Sequence, residues 1–263
     1  MLRTLPHCIR THTYNVNGVS FKMVEVEKGR FWMGDDESDY DDEKPGHWVD
    51  IARNFELGQY QVTQELWRAI MGTDPPRLAF RGDNRPVERV SWDDIVEGNG
   101  EQTVFLDRLN AVEEIKRRNT TQGKRFRLPT EAQWEYAARG GRFGGFYKNE
   151  YAGSNHLREV AWYGNNSYSR TVAVGRKQPN ALGLYDMSGN VDEWCSDAWS
   201  DNYEQTPLDG SAYEEKEQTG RVVRGGSWYS LNPDYCRVAG RHRDPTASAT
   251  TLLVFGYPGT SRR

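Results

Sequence analysis

Sulfur, imidazole and clustered carboxylates are the groups that could do chemistry in this chain, and each occurs in only a few places. Three cysteines, Cys8, Cys195 and Cys236, are scattered along the sequence, too few for a disulfide framework or a four-ligand zinc site. Buried free thiols, packed as small hydrophobes in a reducing and therefore cytoplasmic compartment, are the simplest reading. Five histidines, His7, His12, His47, His156 and His242, show no paired spacing on a helix, so no imidazole-based iron or zinc centre is expected. The acidic run at 35–46, DDESDYDDEKPG, could offer oxygens to a hard cation. Its spacing is irregular, and a solvated loop is expected instead. Residues 228–245 mix the aromatic faces of Trp228, Tyr229 and Tyr235 with short polar groups and Arg237, Arg241 and Arg243. That is the composition of an adaptable binding surface.

These residues need a scaffold, and the chain supplies a loop-rich one. With 263 residues and no linker-like stretch, it reads as one domain. Its 36% hydrophobic content is modest, but 9 Trp, 14 Tyr and 9 Phe bring large buried area per residue, while 26 Gly and 11 Pro break long periodic segments. A net charge of −4 with interspersed signs lacks the clustered basic face of a nucleic-acid binder. Met1 to Arg10 lacks an apolar signal-peptide core, and no run of roughly 18 apolar residues could form a membrane span.

Alternation over 14–34 predicts a hairpin, with a phase slip at Met23-Val24 that suggests a bulge; His47 to Ile51 resumes a strand. Thr63 caps a helix ended by Gly72, Pro86 to Ser91 is a short strand before a second cap at Ser91, and 101–118 carries the longest helical pattern. Phe126 and Leu128 lead into Pro129, after which Thr130 and Gln133 form a capping box and Gly140-Gly141 stops the helix. Trp134, Ala137 and Ala138 mark its inward face. Gly183 to Met187 and Arg221 to Arg224 read as short core strands. No internal repeat appears.

Four segments in order, FWMG at 31–34, RFRLPTEAQWEYAARGG at 125–141, LYDMSGNVDEW at 184–194 and RVVRGGSW at 221–228, resemble the formylglycine-generating enzyme (sulfatase-modifying factor) family. The resemblance runs from about Asn17 to Pro245 and implies an α+β fold, a loop-rich variant of the C-type lectin fold with short antiparallel sheets. Residues 1–16 are then an N-terminal extension, and 17–263 the domain, with a ligand-binding or variable segment at 228–257.

The catalytic members oxidise a substrate cysteine with copper held by two cysteines. By this resemblance those positions fall at Pro233 and Val238, with Cys236 alone between them, so a copper site is not expected. The family's Gly-Asn-Val-x-Glu-Trp turn implies structural calcium held through Asn190, Val191 and Glu193, although Asp192 stands where the pattern has Trp. A tight turn in which Asn190 and Glu193 hydrogen-bond backbone reads equally well. In one branch, the variable proteins of diversity-generating retroelements, the groove positions are diversified from Asn codons. Tyr229, Leu231, Asp234, Tyr235, Gly240, His242 and Asp244 are all reachable in that way.

The expected function is therefore non-catalytic binding of a protein or peptide through Trp228, Tyr229, Leu231, Asp234, Tyr235, Arg237, Gly240, Arg241, His242, Arg243 and Asp244. The competing expectation is an oxidase-type enzyme acting on a protein or small thiol. The tail, 248–257, departs from the family's Gly-Phe-Arg ending, which a shifted reading frame would restore. As written, Leu252 to Tyr257 is apolar and β-compatible, and fits the last strand's slot.

Overall fold

Asn17 and Gly18 both adopt left-handed backbone, with φ of 50° and 88°. They join β1 (Thr11–Val16) and β2 (Val19–Val26) in the two-residue hairpin that an Asn-Gly pair favours. This is a computed structural model, describing residues 9–75, 77–96, 104–144, 148–215, 220–244, 250–251 and 254–256. β2 pairs next with β5 (Phe55–Gly58), β5 with β11 (Val254–Gly256), and β11 with β6 (Arg125–Arg127), completing a five-stranded antiparallel sheet. The 14–34 hairpin expectation divides in two, because β3 (Gly29–Met33) pairs instead with β4 (His47–Ile51). A second sheet runs β10 (Thr250–Thr251), β7 (Glu193–Ala198), β8 (Arg221–Arg224) and β9 (Arg241–Asp244).

Several sequence expectations change, each for a local reason. The slip at Met23-Val24 is no bulge, since Met23 and Val24 pair with Gly58 and Leu57 in unbroken register. Both faces of β2 are covered: Met23 joins a cluster with Trp67, Phe105 and Phe126, and Val24 a second with Phe31, Trp134 and Tyr136. Residues 11–16, expected as extension, form the edge strand β1. The 101–118 pattern splits at Val112, whose ψ of 128° separates α3 (Phe105–Ala111) from α4 (Glu113–Gln122). The expected strand at Pro86 to Ser91 is reduced to an isolated bridge between Pro86 and Thr63 among the described residues. Residues 183–187 form no strand, because Gly183 and Asp186 take positive φ. Of the tail expected as a strand, Val254 to Gly256 form β11 between β5 and β6, and Leu252, Leu253 and Tyr257 lie outside the described residues.

Helix α1 (Gln64–Met71) starts at the Thr63 cap and stops at Gly72, and α2 (Trp92–Ile95) opens on a Ser91 capping box. The pivotal helix is α5 (Glu131–Ala138), opened by the Thr130/Gln133 capping box. It is buried nearly all round, Glu131 and Glu135 included. Glu135 pairs with Arg224 and Arg139, and accepts from the Gly34 N–H at 2.9 Å. Glu131 takes a two-pronged grip from Arg241, at 2.7 and 2.9 Å. Arg224 donates further to the carbonyls of Ala239 (2.7 Å) and Val238 (3.1 Å). Burial opposes the charge on Glu135, yet Arg139 and Arg224 hold its carboxyl below the usual range.

Removing one member of such a cluster strands its partner's charge in the core. Arg224→Met is expected to lower the unfolding free energy by about 3 to 5 kcal/mol, read as a fall in the urea midpoint. An unchanged midpoint would refute the role given to this cluster.

Candidate functional site

β8 runs out into Gly225 and Gly226, with φ of 94° and 68°. A Cβ on Gly226 would stand 2.8 Å from Cys236 Sγ and 2.8 Å from the Tyr235 carbonyl oxygen. Glycine here lets the chain press against the 3-10 turn Pro233–Cys236, which the Asn232 side chain caps by accepting the Asp234 N–H at 3.1 Å. The packed layer pushes its side chains outward: Tyr229 is 72% exposed, Leu231 73% and Tyr235 43%.

The acidic loop forms the opposite wall. Tyr40 donates its hydroxyl to Asp234 at 3.0 Å, and Arg237 reaches across to Glu43 with two bonds of 2.7 and 2.9 Å. Between the walls lies a cleft of about 710 Å³, within the size range of ligand pockets. Asp42, Asp192 and Asp234 give it carboxylates, while His242 and Arg243 lie on the β9 side. Burial raises Asp42 above the ordinary aspartate range and lowers His242.

Of the residues expected from sequence, Tyr229, Leu231, Asp234, Tyr235, Arg241, His242 and Arg243 line this cleft. Arg241 contributes only part of the floor, because its guanidinium is committed to Glu131 and lies over Trp199 and Tyr203. Arg237 is a cross-brace to Glu43. Trp228 packs edge-on against Phe80, and its carbonyl accepts from Ser167 at 2.7 Å. Gly240 is buried, donating to the Arg237 carbonyl at 3.1 Å. Asp244 ends β9 opposite Arg221, and its side chain lies outside the described residues.

The sequence reading missed Tyr40, Asp42, Glu43 and Asp192. The acidic run is not simply solvated: Glu43 is buried as the counter-ion of Arg237. Tyr40, an aromatic amid carboxylates, was the available signal.

Cys236 is 0% exposed, among Tyr151, Leu157 and Tyr163, whereas Cys195, equally buried, belongs to the main core cluster. Burial raises both thiols well above the ordinary cysteine range. Pro233 and Val238 stand at the positions the resemblance assigns to copper thiolates, and neither has sulfur to offer. The described residues therefore do not fit a two-thiolate copper site. Cys8 and His7 lie outside the described residues.

Asn190, Val191 and Glu193 sit in a buried turn leading into β7. The Asn190 side chain exchanges two hydrogen bonds with the Val172 backbone, at 2.9 and 3.1 Å, and its carbonyl accepts the Trp228 N–H at 2.8 Å. The turn thus sets the first residue of the cleft segment. Glu193 accepts from Trp134 Nε1 at 2.6 Å and Gln61 Nε2 at 2.8 Å, and burial pushes its carboxyl up to about 8. All three are engaged by protein donors, and the Gln61 nitrogen stands between the Val191 carbonyl, at 3.0 Å, and the Glu193 carboxylate, where the calcium implied by the resemblance would sit.

The family model described as "Sulfatase-modifying factor enzyme 1-like domain" matches residues 14–253. The chain is 35% identical over 246 residues to the chaperone protein LppX of Paenibacillus barcinonensis, covering 81% of this chain and 80% of that one. It is 34% identical over 196 residues to the formylglycine-generating enzyme of Thermomonospora curvata, covering 68% of this chain but only 56% of that enzyme. Among solved structures, Treponema denticola variable protein 1 superimposes with a TM-score of 0.73 at 29% identity, covering 94% of this chain and 99% of that one. PvdO from Pseudomonas aeruginosa follows with a TM-score of 0.70 at 28% identity, covering 89% and 94%.

Sealed, high-pKa thiols are poor nucleophiles. A Cys8→Ser variant is expected to stay unreactive toward a small aromatic disulfide at pH 8 until urea unfolds it, when two thiols titrate. Rapid labelling of the native protein would contradict the packing described for Cys195 and Cys236.

Proposed function

The chain belongs to the sulfatase-modifying factor enzyme 1-like family, and we propose that this member binds a protein or peptide ligand in the cleft between the acidic loop and residues 228–243, without oxidising it. One observation carries the reading: exposed Tyr229, Leu231 and Tyr235 share a cleft whose backbone is fixed from behind, where the catalytic pattern would need paired thiols. Large aromatic side chains anchored on a rigid backbone supply contact area at low conformational cost. The carboxylates along the cleft suit a ligand with basic side chains.

Two similarities support the reading. One relative is named a chaperone protein, and a structural neighbour is named a variable protein. The sharper version is a diversified surface, in which Tyr229, Leu231, Asp234, Tyr235 and His242 vary over a constant frame of Gly225, Gly226, Cys236 and Ala239. Sequencing many clones of the locus tests it: substitutions confined to 228–245 are expected, and an even spread along the gene would exclude diversification.

Binding itself is tested by panning displayed random peptides. Peptides enriched on the native protein are expected to lose at least about tenfold in affinity on Tyr229→Ser or Tyr235→Ser, roughly 1.4 kcal/mol for losing an interface anchor, with melting temperature unchanged. Equal affinity for both variants would move binding elsewhere. Loading with cuprous ion under anaerobic conditions, followed by a cysteine peptide and dioxygen as the oxidant, tests the oxidase alternative, and an aldehyde product would overturn the non-catalytic reading.

A further inference from the structure

A primary amide has two N–H bonds to give, yet four oxygens converge on Gln61 Nε2. They are the carbonyls of Asp186 at 3.1 Å, Gly189 at 3.4 Å and Val191 at 3.0 Å, and Glu193 Oε1 at 2.8 Å. Gln61 is 1% exposed, and its own Oε1, also buried, has no hydrogen-bond partner among the described residues. The arrangement is lopsided, with acceptors crowding the nitrogen and nothing serving the oxygen. Buried polar groups seldom stay unsatisfied unless the surroundings impose it.

What imposes it is the turn. Gly189, with φ of 81°, and Asn190, with φ of 68°, reverse the chain so that the Gly189 and Val191 carbonyls turn toward Gln61 while that of Asn190 turns to the Trp228 N–H. A Cβ on Gly189 would stand 2.5 Å from the Trp162 carbonyl oxygen, so the chain cannot relax outward by side-chain substitution there. Three carbonyls and a carboxylate oxygen around one point form a hard-oxygen donor set of the kind that takes calcium. The point is occupied by nitrogen. Gln61 precedes the α1 cap by two residues and is held by the Thr63–Pro86 bridge and the Val87-to-Val62 backbone bond at 2.8 Å.

We propose that the Gln61 amide nitrogen stands in for a cation at the centre of this oxygen cage, so that the turn at 186–193 closes, and the chain folds, without calcium. The amide brings two polarised protons and no net charge, sufficient to bridge the oxygens but not to saturate them. The cage therefore keeps a latent selectivity for a divalent cation, which a change at position 61 alone would expose. Gln61→Glu sets a second carboxylate beside Glu193 and calls for positive charge between them. Gln61→Ala empties the centre and leaves the four oxygens facing it.

The test is thermal unfolding of the full chain and both variants in excess EDTA and in excess calcium chloride, with bound metal counted by mass spectrometry. The native protein is expected to melt at the same temperature in both solutions and to carry no stoichiometric calcium. Gln61→Glu is expected to melt lower in EDTA and to gain on the order of 5 °C in calcium at a hundredfold excess over its Kd. Gln61→Ala is expected to shift in the same direction, which keeps the test decisive if the glutamate variant fails to fold. One calcium per native chain with a melting temperature that falls in EDTA would overturn the proposal. So would the absence of any calcium response in both variants. The outcome is independent of peptide binding in the cleft, which neither measurement reads.

Discussion

Two glutamates four residues apart on one buried helix, facing two buried arginines from neighbouring strands, are the constraint on which the architecture rests. Glu131 and Glu135 cannot lie in the core without positive partners, since the cost of desolvating an unpaired carboxylate exceeds what ordinary packing offsets. Arg224 of β8 and Arg241 of β9 supply the charge, and their remaining N–H groups spread outward. Arg241 donates to the Asp42 and Ser200 carbonyls at 2.9 and 2.8 Å, and Arg224 to those of Ala239 and Gly240 at 2.7 and 2.5 Å. A single ionic cluster thereby links α5, the second sheet, the acidic loop and the base of the cleft.

This arrangement separates what holds the cleft from what faces it. The holding residues point inward or sideways: Gly226 against Cys236, Arg237 to Glu43, and Asn190 to the Trp228 backbone. The facing residues, Tyr229, Leu231 and Tyr235, have much of their surface in solvent. Buried Cys236 belongs to the first group. It fills space beside Tyr151 and Leu157, which accounts for a thiol so near the position of a reactive sulfur without reactive surroundings.

Much of this was legible in the sequence where local chemistry is strong. Thr63, Ser91 and Thr130 declared their helix starts, because a short hydroxyl side chain three residues before a free N–H has few other uses. The motif resemblance placed the fold, and the exposed cleft residues followed from their aromatic and polar mixture. Long-range constraints were not legible. β2 reads as a phase error because both of its faces are buried, a fact that depends on what lies above and below it. The acidic loop reads as solvated because Glu43's partner is 194 residues away. The burial of Glu131 and Glu135 had no local signal, because the arginines that neutralise them stand 110 and 89 residues further along the chain. Gln61 carried no signal, since its role comes from four oxygens of a distant turn.

The brace between Arg237 and Glu43 joins the cleft's two walls through a largely buried ion pair. The gap between the walls is thereby a fixed gauge. Replacing Tyr229 or Leu231 would repaint the interior without widening it, so under the binding role proposed above, guests should resemble each other in thickness more than in chemistry.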